Sequence, residues 1–340
     1  MATTFKRLRP EDVVSTRSLL HEAIPITGSI VSGTYGAPSV ADNIKNYSHG
    51  MFQSVYDYPY LSSSSNHIFD ITCGYSNNSA LSASTNSDHT KKVAIYNQMA
   101  QVLAGHDESG SIRRFDADGD LSSGTKHDDV FFLNFSRLLS KDEIKKGTFS
   151  LSFMTGAYAA PAPKLVTIAD TGADTAYKTN SPAGEYGLLK RGHTNVGLLY
   201  YQAGVAVLTA SVLEGTAAGF KFNATGDGVS GSLTGSTIQS NADNLRHHLY
   251  NLTFNNTTEL NSTIYFCRVN HNEYNYSANP TYTSGSRVRV KNNTIDNPVS
   301  YITTVGLYSA DNELLATAKL SEPLKKDPTN EMILRVRLDY

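Results

Sequence analysis

Tryptophan is absent from this 340-residue chain, and cysteine occurs only twice, as Cys73 and Cys267. The two cysteines lie far apart and form no C-x-x-C pair. That excludes a disulfide framework and leaves buried, reduced thiols as the expected state. Charge is also scarce. Asp, Glu, Lys and Arg make up 18% of the residues and nearly cancel, leaving a net of −2. Such a chain has no basic field to recruit nucleic acid or an anionic membrane. No apolar run reaches the roughly 18 residues of a membrane-spanning helix. The longest candidate, "VGLLYYQAGVAVLTASVL" (Val196–Leu213), is broken by Gln202 and Gly204 and predicts two strands around a tight turn. The opening "MATTFKRLRPEDVV" has no apolar signal-peptide core. The N-x-S/T triplets at Asn46, Asn134, Asn251 and Asn261 therefore read as a by-product of abundant Asn, Ser and Thr.

Chemical motifs are missing too. There is no G-x-S-x-G, no Walker loop, and neither H-x-x-x-H nor H-E-x-x-H. The ten histidines are scattered, and the adjacent pair His247 and His248 would point to different sides of a helix. No catalytic, cofactor-binding or metal-ligating residue is assigned, no cofactor is expected, and the chain is not expected to be an enzyme. One stretch carries the type of residue a cation needs. "RFDADGDLSSGTKHDD" (Arg114–Asp129) alternates Asp116, Asp118 and Asp120. An EF-hand would require Gly and Glu where this loop has Leu121 and His127. A looser calcium loop and a plain acidic surface turn both stay open.

What is present favours strands. The chain holds 20 Tyr and 13 Phe among many Ser, Thr, Asn and Gly. Tyr gives apolar area with a polar tip, which suits interfaces. Strands are predicted at "SNHIFDITCGY", "DDVFFLNFSRLL", "GTFSLSFMTG", "KLVTIAD", "GEYGLLK", "NVGLLYYQ", "GVAVLTA", "GFKFNAT", "STIYFCRVN" and "RVRVKN" (Arg287–Asn292), with three more closing the chain. Roughly a dozen strands result. Helices are predicted at "DHTKKVAIYNQMAQVLAG" (Asp88–Gly105), with Val93, Tyr96, Met99, Ala100 and Leu103 on one face, and at "QSNADNLRHHLYNL". A third begins at Pro10 and runs through "VVSTRSLLHEA", and Ser140 with Glu143 forms a capping box for one further turn.

The expected fold is mainly β, with multi-domain β-sandwich-type sheets, two or three short helices and an extended N-terminal arm. Four segments are expected: 1–50, the arm with its short helix; 51–156, a mixed β domain with one helix; 157–270, a Gly/Ala/Ser/Thr-rich β domain; and 271–340, a C-terminal sheet.

The last segment carries a resemblance. "NEYNYSANPTY" (Asn272–Tyr282) and "VSYITTVGLYSADNELLATAKLSEPLKKDP" (Val299–Pro328), with the alternating "EMILRVRLDY" after them, are similar to virion structural proteins of large contractile-tailed cyanophages. The run "VGLY", a short turn, "ELLATAKL" and a Pro/Lys loop resembles the attachment domain of tail-collar and tail-fibre proteins. The family's turn more usually carries Gly where this chain has "NELL". The likeness is looser over "NFSRLLSKDEIKKGTFSLSF" and "VGLLYYQAGVAVLTA", and residues 1–125 show none. It implies a structural part of a bacteriophage virion, in the tail baseplate, the fibre-attachment region or a collar, assembled in the host cytoplasm. Its implied partners are other virion proteins and further copies in a symmetric ring, with no nucleic acid and no membrane. It transfers no catalytic residue. The expected contact elements are the arm (residues 1–50), the hairpin "LLYYQAGVAVL" and the C-terminal sheet. Two alternatives remain. One is a neck or capsid-associated position. The other is a receptor-binding or glycan-degrading tail protein, with the Tyr-rich loop "SVYDYPYLSSSSN" (Ser54–Asn66) stacking on sugars.

Overall fold

A computed structural model describes residues 5–32, 42–121, 123–154, 165–210, 233, 236–275, 283–284, 287–288 and 298–340. The fold is mainly β, and the pairings within its large sheet are largely antiparallel. The predicted strand "GFKFNAT", most of "RVRVKN" and residues 276–282 of the resembling stretch lie outside the described residues.

The chain divides into two compact units, residues 20–258 and residues 1–19 with 259–340. This differs from the four segments expected, and strand pairing is the reason. Val205–Thr209 hydrogen-bonds along Asp129–Phe135, and Leu165–Ala169 along Ser150–Met154. Segments 51–156 and 157–270 thus share one sheet and one core.

In the larger unit the sheet runs in the order Leu249–Thr258 (the first part of the strand Leu249–Val269), Ser150–Met154, Leu165–Ala169, Gly184–Arg191, Thr194–Tyr200, Val205–Thr209, Asp129–Phe135, His67–Tyr75, Gln53–Tyr56 and Ile44–Asn46. The strand Asp129–Phe135 is buried on both faces, with Val130, Phe131, Phe132 and Leu133 all inaccessible. This is why it reads as a continuous apolar run rather than an alternating one. Rings bridge the layers: Tyr96 to Phe115 at 5.4 Å, Phe115 to Phe132 at 5.7 Å, and Phe135 to Phe254 at 5.3 Å.

The helix His89–Leu103 packs on the strand His67–Tyr75 at Gly74. A Cβ there would come within 2.5 Å of the Lys92 carbonyl, so only glycine allows this approach. The helix buries Ile95, Tyr96, Ala100 and Leu103, and also Lys92, a residue its apolar spacing had excluded. The Lys92 ammonium donates to the carbonyls of Ser87 (2.8 Å), Leu233 (2.5 Å) and Ser236 (2.6 Å). The second helix, Ile238–His248, starts at Thr237, whose hydroxyl accepts from the Ser240 amide.

Two local expectations are corrected. The helix expected after Pro10 is a single 3-10 turn, Pro10–Asp12, followed by the strand Val13–Thr27. β-Branched Val13, Val14 and Thr16 favour extended backbone, and pairing with the long strand Leu249–Val269 outweighs the local helix-start signals. The turn attributed to Ser140 and Glu143 lies one turn earlier, at Arg137–Ser140, and is capped by Ser136. Glu143–Ile144 is a short strand.

The smaller unit pairs Ser262–Val269 with Met332–Asp339, from Ser262 opposite Asp339 to Val269 opposite Met332. It also contains a separate hairpin, Ser300–Tyr308 with Leu314–Lys326. Asn312 adopts a left-handed φ of +63° in the turn, a conformation Asn tolerates better than most residues.

Candidate functional site

Among its described residues, the smaller unit buries few hydrophobic side chains. Its hairpin Ser300–Tyr308 with Leu314–Lys326 is a two-stranded sheet with register shifts at Ile302/Thr304 and Leu307/Tyr308. Val305 faces Ala318 and Leu307 faces Ala316, which makes one side apolar. The other side pairs Thr304 with Lys319 and Gly306 with Thr317. Of the two strands, only their ends Ser300 and Lys326 are buried. Tyr301, Tyr308, Leu314 and Leu315 are exposed, Leu315 by 68%. An isolated two-stranded hairpin is marginal in water and gains order by covering an apolar face.

The strand Val13–Thr27 shows the same property. Residues 14–23 are all exposed, including Val14, Leu19 and Leu20. Within the smaller unit it is held by polar contacts: the Ser15 and Thr263 hydroxyls at 3.0 Å, and an ion pair between Arg17 and Glu259. The strand Met332–Asp339 places Met332, Leu334, Val336 and Leu338 on one side and Ile333, Arg335 and Arg337 on the other, more exposed side.

Polar pins give this unit its order. Lys326 is fully buried and donates to the His271 carbonyl (3.1 Å), the Asn275 side-chain oxygen (2.7 Å) and the Asp327 carbonyl (2.7 Å). The Arg268 guanidinium hydrogen-bonds Asp12 and holds its carboxyl below the usual carboxylate range.

The third expected contact element does not qualify. The hairpin "LLYYQAGVAVL" lies inside the larger sheet, with Leu198, Leu199, Tyr200, Val205, Ala206 and Val207 buried. It is core because its strands are flanked on both sides, by Gly184–Arg191 and by Asp129–Phe135. In the Tyr-rich loop, Tyr58, Tyr60 and Leu61 are exposed.

The acidic loop belongs to the larger unit. A two-residue ladder pairs Phe115 with His127 and Asp116 with Lys126. Asp116 is buried, and its Oδ2 accepts from the Lys126 ammonium and the Leu121 amide, both at 2.8 Å. The carboxylate oxygens of Asp116, Asp118 and Asp120 lie within 4.8 Å of one another. Gly119 sits at φ +70°, and its carbonyl accepts from the Asn180 amide (3.0 Å) and the Tyr186 hydroxyl (3.3 Å). Burial, followed by the nearby Asp116 charge, pushes the Tyr186 hydroxyl up to about 12.

Beside this loop lies a cleft of about 750 Å³ lined by Ser79, His127, Asp128, Asp129, Arg191 and His193, among others. Its carboxylates are already engaged. Asp128 pairs with Arg114 at 3.0 Å, and Asp129 accepts from the Ser79 hydroxyl. Burial raises the Asp129 carboxyl and lowers the His127 imidazole.

Cys73 is buried, and burial pushes its thiol up to about 12. Cys267 is half-buried, with its thiol raised mainly by desolvation. His248 is held against the Met154 carbonyl at 2.9 Å. No helix among the described residues is long and apolar enough to cross a membrane. Comparison with known protein families, curated proteins and solved structures gives no match.

Proposed function

We propose that this chain is a structural subunit of a bacteriophage virion of the contractile-tailed type, joining neighbouring subunits at the baseplate, fibre-attachment region or collar. One observation carries the reading. Among the described residues, the only buried hydrophobic side chains of the smaller unit are Val269 and Val336, while Tyr301, Tyr308, Leu314, Leu315 and Ile333 are exposed. Such a unit reaches a normal degree of burial when neighbours cover its faces and pair with its strand edges. The exposed strand Val13–Thr27 and the hairpin Ser300–Lys326 supply those faces. Further copies in a closed ring, together with other virion proteins, are the partners this reading calls for. The resemblance of residues 272–340 supplies the virion context.

The test is cryo-electron microscopy of the intact particle. The reading expects this chain in a ring at the tail, with residues 13–27 and 300–340 covered by adjacent subunits. Absence of the chain from the particle, or a position in which those residues face only solvent, overturns it.

A further inference from the structure

We propose that the segment 116–120 binds one hard divalent cation, calcium by its chemistry, through the carboxylates of Asp116, Asp118 and Asp120. This site is independent of the assembly reading and lies wholly within the larger unit.

The argument starts from an oxygen atom. Asp116 is only 1% exposed. Its Oδ2 is engaged by Lys126 and Leu121, but its Oδ1 is buried with no hydrogen-bond partner. Buried carboxylate oxygens are nearly always satisfied, because desolvation without a partner is costly. The same carboxyl group lies within 4.8 Å of the ligand oxygens of Asp118 and Asp120. Asp116 therefore belongs to a cluster whose other two members open to solvent.

Size and ligand type choose the ion. Two oxygens on one cation can be separated by at most twice the bond length, or about 4.6–5.2 Å for calcium. The ligand oxygens lie within 4.8 Å of one another, inside that limit. The donors are all oxygen, which suits a hard ion rather than zinc or copper. Asp118 and Asp120 are exposed and leave room for the waters that complete a calcium shell of about six to eight oxygens. The ion would also brace the loop against its anchor, since the Gly119 carbonyl is already tied to Asn180 and Tyr186.

The experiment uses the full chain, stripped with chelator and titrated with calcium chloride by calorimetry. A parallel titration with terbium is read as luminescence sensitised by tyrosine, with Tyr186 at the loop and no tryptophan to interfere. The expected result is one saturable equivalent of calcium and a melting midpoint raised by several degrees at saturation. Asp118→Asn with Asp120→Asn should weaken calcium at least about tenfold and abolish the terbium signal. Both positions are exposed, so the ion-free midpoint and the circular dichroism should stay those of the wild type. No saturable heat and no midpoint shift at millimolar calcium overturn the proposal, as does a titration unchanged in the double variant. An equal response to magnesium at the same concentration overturns the choice of calcium.

Discussion

The two units spend their apolar residues in opposite ways. In the larger one, Phe69, Phe131, Phe132, Phe149 and Phe153 are inaccessible, and so are Tyr96, Tyr186, Tyr200 and Tyr201. In the smaller one, the buried residues are mostly polar, among them Asp12, Ser262, Thr263, Asn275, Ser300 and Lys326. Its tyrosines 301, 308 and 340 are exposed. Aromatic content therefore says little about stability until burial is known. The larger unit has a closed apolar core, whereas the described part of the smaller is held by hydrogen bonds and ion pairs, with the apolar sides of its strands half-buried.

Matched truncations would break this comparison most sharply. Phe132→Ala, in the centre of the larger core, should cost about 3–5 kcal/mol in urea unfolding of the free chain. Leu334→Ala in the smaller unit should cost at most about 1 kcal/mol in the same assay, since Leu334 is only half-buried. Equal losses would show that the smaller unit has a closed core of its own.

The buried lysine of the larger unit gives a smaller but cleaner effect. Lys92→Met keeps the bulk and removes the ammonium, leaving the Ser87, Leu233 and Ser236 carbonyls without that donor. A loss of about 2–4 kcal/mol in urea unfolding is expected, because unsatisfied buried acceptors cost more than the net worth of their bonds. An unchanged midpoint would mean that other donors replace the amine.

Self-association tests the open side. The hairpin carries Val305 and Leu307 on one strand and small Ala316 and Ala318 on the other. A two-fold stack of two hairpins would place the large row of each over the small row of the other. Val305→Glu with Leu307→Glu should raise at least about tenfold the concentration at which light scattering first shows a mass above that of one chain, with the urea midpoint of the larger unit unchanged. A mass unaffected by these charges would point to other strands as the contact.

The larger sheet was legible wherever the signal was local. "DVFFLNF" and "NVGLLYY" are apolar runs bounded by turns, and both are central strands. The signal failed where pairing partners are distant. Val13–Thr27 looks like a helix start to its own neighbours and becomes a strand because residues beyond 249 lie alongside it. Lys92 carried no sign of burial, because the carbonyls that hold it come from residues 87, 233 and 236. At the acidic loop the alternation of Asp116, Asp118 and Asp120 was plain in the sequence. What it could not convey was that Asp116 is buried, since that follows from its register with Lys126.

The smallest expected effect is a pH dependence confined to the larger unit. Burial holds the His127 imidazole below its ordinary value of 6.5, while Asp116 and Asp128 oppose that shift. The unfolded chain therefore takes up a proton at this residue more readily than the folded one. The sign follows directly: this contribution to stability is present at neutral pH and declines as the pH falls through the unfolded value, until the folded imidazole also titrates. His127→Phe would remove it. Urea midpoints measured from pH 7.5 down to pH 5 should fall less steeply in the variant than in the wild type, by less than about 1 kcal/mol overall. Identical slopes would assign the acid sensitivity over that range to groups other than His127.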